Sequence, residues 1–146
     1  MSSDILSKYY VQINLRYRYS HVHCLRDLTR GGLATALVEL AETSHLHFQI
    51  DETLVQITPS VRGACEILGL DPLYVANEGC FVAFIPQAKS RLALEILKEH
   101  PLSKASAIIG NVLENNKSFG YVTAKSSLGT SRLMDRLTGE QLPRIC

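Results

Sequence analysis

No Cys-x-x-Cys pair occurs in this 146-residue chain: Cys24, Cys65, Cys80 and Cys146 stand far apart. That spacing argues against a zinc knuckle and a dense disulfide framework, and it suits reduced thiols in a cytoplasmic protein. Long apolar runs are also missing, so nothing in the sequence scans as a membrane span. Gln12, Asn14, Arg16 and Arg18 interrupt the apolar residues near the start, which excludes a secretory signal there. Charge of one sign is not in excess. A formal net charge of +1 gives no signal for nucleic acid or any other polyanion. Internal repeats and low-complexity segments are absent. What remains is a chain of one ordinary domain's length, 46% hydrophobic, long enough to bury a core.

Along the chain, Tyr9, Val11, Ile13, Leu15, Tyr17 and Tyr19 alternate with polar residues. Period two predicts a strand with one wet face, either an edge strand or the remnant of a longer protein. Asp27, Thr29, Arg30, Gly31 and Gly32 then run into Leu33, Ala36, Leu37, Leu40 and Ala41. The helical spacing predicts a helix from near Gly32 to near Ser44. Paired glycines before free helix N–H groups, with Arg30 alongside, make a candidate anion site. The plainer alternative is a glycine turn that packs a helix against a strand.

Leu46, Phe48 and Ile50 predict a half-exposed strand, with His45 and His47 as surface residues rather than metal ligands. Thr58 and Pro59 open a short helix that Gly69 ends, with Cys65 as a small core residue inside it. The unusual stretch Asp71-Pro72-Leu73-Tyr74-Val75-Ala76-Asn77-Glu78-Gly79 leads into the apolar run from Cys80 to Ile85. That run reads as a buried central strand. Glu78 stands at its mouth, as a candidate proton acceptor or as a turn carboxylate capping amides.

Leu92, Ala93, Ile96 and Leu97 predict a second long helix that Pro101 stops. Residues 107–113 read as a strand, and residues 119–124 as its hairpin partner across Asn115-Asn116. Strands broken by two long helices and one short one suit an α+β domain, a mixed sheet with helices packed mainly over it. The end of the chain is Pro143-Arg144-Ile145-Cys146. Proline discourages regular pairing there, so the tail reads as an extended arm. Arg144 favours the Cys146 thiolate while the terminal carboxylate opposes it. A mobile thiol suits a group carrier; a frayed terminus is the alternative.

Three stretches resemble one family. Arg26-Asp27-Leu28-Thr29-Arg30-Gly31-Gly32-Leu33-Ala34-Thr35 is similar to its RDPTRGGLAT segment. Gly69-Leu70-Asp71-Pro72-Leu73-Tyr74-Val75-Ala76-Asn77-Glu78-Gly79 is similar to its GLDPLYVANEG signature, and the ending to its GEQLPRIC terminus. The family is the hydrogenase maturation proteins HypE, the carbamoyl dehydratases, within the aminoimidazole ribonucleotide synthetase-like superfamily. The resemblance covers residues 23–146 and only the C-terminal half of such proteins. It divides the chain into an atypical segment 1–20, a C-terminal-type domain 21–137 and a tail 138–146. Leu28 replaces a usual proline, and Lys125-Ser126-Ser127-Leu128-Gly129-Thr130-Ser131-Arg132 stands where the family tends to have a GGTR-type run.

The resemblance implies a carrier cycle. A carbamoyltransferase, HypF, loads carbamoyl onto Cys146; ATP phosphorylates the carboxamide oxygen; loss of phosphate leaves a thiocyanate. The cyano group then passes to iron on a HypC–HypD scaffold complex. Glu78 is implied as the base, with Arg144 beside the thiol. Asp27, Thr29, Arg30, Gly31 and Gly32 are implied at the nucleotide, ATP and Mg2+ being held mostly by the half not present here. A homodimer of the full-length protein, a cytoplasmic location, no nucleic acid and no membrane are likewise implied. The alternatives are a non-catalytic module or truncated remnant that docks maturation partners, and a relative of the selenophosphate or thiamine phosphate kinases.

Overall fold

Residues 3–9, as backbone alone, and 22–136 are described by a computed structural model of the chain. The strands are β1 (Ser3–Tyr9), β2 (Cys24–Leu28), β3 (His47–Asp51), β4 (Asn77–Pro86), β5 (Ala107–Leu113), β6 (Tyr121–Lys125) and β7 (Ser131–Met134). The helices are α1 (Gly32–Ser44), α2 (Pro59–Leu68) and α3 (Gln87–Glu99), and three single 3-10 turns follow β3, α2 and α3. The seven strands form one sheet in the order β2-β4-β1-β5-β3-β6-β7. Only β3 and β6 are parallel among these pairs, so the sheet is mixed as expected.

Alternation along β4 explains its apolar run. Val82 and Phe84 join the cluster under α1, with Leu33, Leu37, Phe48, Ile50, Ile109 and Val122. Ala83 and Ile85 join a second cluster with Leu97 of α3. Neighbouring residues of a strand face opposite ways, so the two helices cover opposite faces and β4 is buried on both. In α1, Leu33 and Leu37 share a face at i, i+4, and Leu37 is fully buried at 0% exposure. The helix ends at His45, whose left-handed backbone lets its N–H bond the carbonyls of Ala41 and Glu42. α2 runs from Pro59 to the Gly69 cap as expected, with Cys65 its one buried residue. Thr58 stands at its N-cap position without a capping bond from its side chain.

The strand expected from the alternating run Tyr9–Tyr19 lies, beyond Tyr9, outside the described residues. β1, just before it, lies between β4 and β5 and pairs with both. One expectation is corrected: the hairpin of residues 107–113 with 119–124 does not form. β5 pairs with β1 and β3, while β6 pairs with β3 and β7. The Asn115 side-chain amide donates to the carbonyls of His45 and Phe119, tying the loop to the entry of β3, which takes the place between β5 and β6. β7, which the sequence left unassigned, closes the far edge through a tight turn at Ser126 and Gly129.

Candidate functional site

Strand directions gather the first two sequence motifs at one end of the sheet. β2 ends there and β4 begins there, and their register is Asp27 opposite Phe81, then Leu28 opposite Asn77. Three residues of β4, Glu78, Gly79 and Cys80, therefore bulge out across the step from Asp27 to Leu28. Gly79 takes φ 86°, a conformation that suits glycine at such a bulge. Leu28 is buried and anchors the step, while Glu78 and Asp27 are exposed on either side of it.

The chain then turns into α1. Gly31 and Gly32 take φ 65° and 63°, left-handed backbone that side chains resist. A Cβ on Gly31 would stand 2.2 Å from Thr35 Oγ1, and one on Gly32 would stand 2.5 Å from the carbonyl oxygen of Val75. Both glycines are thus required by the chain's own packing, Gly31 against Thr35 of its helix and Gly32 against the backbone of residues 73–75. The anion-binding features that remain are Thr29, the exposed Arg30 and the first turn of α1. The Thr35 N–H makes the first helical bond, to the Gly31 carbonyl at 3.2 Å, so the N–H groups before it have no acceptor within the helix. Thr29 Oγ1 lies 3.4 Å from Asp27 Oδ1, and Arg26 pairs with Glu39 at 2.8 Å. Among the described residues Arg30 has no carboxylate partner.

A second set of residues, missed by the sequence reading, gathers around the turn Pro72–Tyr74, which packs against Gly32. Asp71 Oδ1 accepts from the Leu73 N–H at 2.9 Å and caps the turn. Asp71 Oδ2 accepts from Arg132 Nη2 at 2.7 Å, and Arg132 Nε donates to Glu52 Oε1 at 2.7 Å. Burial disfavours the Arg132 charge, but bonds to both carboxylates outweigh it and raise its pKa above the ordinary arginine value. The Tyr74 hydroxyl donates to the Asp135 carbonyl at 3.0 Å, which fixes the segment after β7 to the same turn. The one sequence signal was the position of Arg132 at the end of the run that departs from the family's GGTR-type pattern.

Elsewhere, His47 stacks on Tyr121 with ring centroids 4.2 Å apart, and its Nε2 lies 2.8 Å from Thr123 Oγ1. Lys117 Nζ sits 4.1 Å from the Tyr121 ring centre. Burial first, and the Lys117 charge second, lower the His47 pKa from the ordinary histidine value. A mainly apolar cavity of about 390 Å³ between α1 and the sheet is lined by Cys24, Leu40, Phe48, Phe84 and Val112, apart from the loop. Among the described residues no three His, Cys, Asp or Glu side chains converge as a metal site. No helix among them is long and apolar enough to cross a membrane. Cys146 and Arg144 lie outside the described residues.

Comparison with known proteins gives consistent matches. A family model described as AIR synthase related protein, C-terminal domain, matches residues 6–123, reaching back into the segment that the sequence had set apart. The carbamoyl dehydratase HypE of Rhodobacter capsulatus is 45% identical over 125 residues, 86% of this chain and 36% of that protein. A solved structure of hydrogenase maturation protein HypE in complex with ATP aligns with a TM-score of 0.85 at 34% identity, covering 99% of this chain and 52% of that one. A HypE–HypF complex aligns with a TM-score of 0.78 at 29% identity, covering 92% and 53%. The chain thus spans little more than a third of the length of the curated relatives it matches.

Proposed function

Because the chain belongs to the family of the AIR synthase related protein, C-terminal domain, we propose that it is the C-terminal half of a HypE-like carbamoyl dehydratase. In this reading it serves nickel–iron hydrogenase maturation and carries first carbamoyl, then cyanide, on Cys146. The observation that carries the reading is the register step that sets Glu78 on a bulge beside the turn into α1. It joins two separate motifs into one site.

Thr29, Arg30 and the first N–H groups of α1 fit phosphate oxygens, since they combine a planar cation with unbonded donors. Asp27 orients the Thr29 hydroxyl. Glu78, exposed on its bulge, takes a proton from the carboxamide nitrogen. Arg144 favours the Cys146 thiolate. ATP, when bound, supplies the phosphoryl group that makes the carboxamide oxygen a leaving group. Most of the ATP site and the Mg2+ site belong, in this reading, to the part of the relatives that this chain does not span. The isolated chain accepts carbamoyl but does not dehydrate it unaided. HypF is the donor and HypC–HypD the acceptor; the location is cytoplasmic, and the homodimer belongs to the full-length protein. A binding module without chemistry is the second reading, favoured by the 36% coverage.

The test is intact mass of the chain after incubation with HypF, ATP and carbamoyl phosphate. The carrier reading expects one added carbamoyl group, absent from Cys146→Ala. Equal gain by both proteins, or no gain by either, overturns it; binding of HypF without any gain leaves the module reading.

A further inference from the structure

We propose that Arg132 is a positioning residue of this site: by bridging Asp71 to Glu52 it holds the turn Pro72–Tyr74 against Gly32 and so fixes the bulge that bears Glu78. The inference rests on the reading above for the role of Glu78, and its own geometry stands apart from that role. Arg132 reaches two carboxylates, 61 and 80 residues away in sequence, with two different nitrogens of one planar fork. Both oxygens of Asp71 are used, one on Arg132 and one on the Leu73 N–H. Moving Arg132 therefore moves the cap of the turn.

The carbonyl oxygens of Leu73 and Val75 would stand 2.6 and 2.5 Å from a Cβ on Gly32, so the turn has no slack against α1. Two residues after Val75, Asn77 pairs with Leu28 and Glu78 enters the bulge. A displacement at Asp71 thus passes directly to Glu78 and to the mouth of the Thr29–Arg30 turn. An isolated exposed ion pair would contribute little, but here one cation joins β7, the turn after β3 and the turn after α2. Lysine would not replace it, because a single ammonium group does not reproduce the fork that addresses two separated acceptors.

The experiment compares the whole chain with Arg132→Lys and Arg132→Met, by amide hydrogen exchange and by the amide NMR signals of Glu78 and Gly79. Methionine keeps much of the aliphatic stem and removes the charge. We expect exchange to rise about tenfold in residues 70–80 and 28–33 of both variants, with β5 and α3 unchanged and the Glu78 and Gly79 signals shifted. Unchanged exchange and signals in Arg132→Met overturn the proposal, as does a uniform rise across the chain. Rescue by methionine would show a packing role only and also overturn it. These readouts need no turnover, so they separate failure of the clamp from failure of the carrier reading, which the mass of loaded Cys146 decides.

Discussion

Gly32, the first residue of α1, lies against the backbone of Leu73: a Cβ at Gly32 would stand 2.6 Å from the Leu73 carbonyl oxygen. Backbone cannot swing aside as a side-chain tip does, and φ 63° already disfavours any other residue. Gly32→Ala is expected to cost about 2 kcal/mol or more, read as a fall in thermal midpoint. Gly63, inside α2 with open space at its Cβ position, is the control. Gly63→Ala is expected to stabilise by about 0.5–1 kcal/mol, because alanine restricts the unfolded chain and favours the helix.

Leu37 sits at the centre of the larger core with 0% exposure. Leu37→Ala leaves a cavity between α1 and the sheet and is expected to cost about 3 kcal/mol in denaturant unfolding. An effect below about 1 kcal/mol would mean that the helix is not seated as described.

Glu78→Gln keeps the size of the side chain and removes the base. Carbamoyl loading of Cys146 by HypF is expected to be unchanged. With the ATP-binding portion of a HypE relative supplied, conversion of the loaded group is expected to slow by about 100-fold. Normal conversion by this variant would remove Glu78 from the chemistry.

The His47 pKa is lowered, so the fold prefers the neutral ring. Its stabilisation is complete above the ordinary histidine value and declines as pH falls through the lowered one. Lys117→Met removes the second cause and leaves burial in place. The imidazole titration, followed by NMR, is expected to move upward yet stay below the ordinary value.

α1 and β4 were legible because each carries its burial pattern within a few consecutive residues, and α2 because Pro59 and Gly69 mark its ends. Leu33 and Leu37 show the helical period, and the Cys80–Ile85 run shows a strand covered on both faces. Pairing was less legible. Asn115-Asn116 reads as a hairpin turn, yet the Asn115 side chain bonds the entry to β3, and β6 lies beyond that strand. Glu78 and the Asp27–Gly32 turn were identifiable one by one, but their meeting depends on a register step that no local pattern encodes. The role of Arg132 has no local signature beyond its place in the run 125–132, because its partners are Glu52 and Asp71.

β1 also bears on the order of events during synthesis. Ser3 pairs with Pro86 and Val112, both far along the chain, so its strand has no neighbour until β4 and β5 have been made. Until it docks, β4 and β5 each present an unpaired apolar edge, the kind of surface that recruits other chains. Closure of this sheet is thus a late, long-range event, and slow folding with a nascent chain prone to self-association follows from the strand order alone.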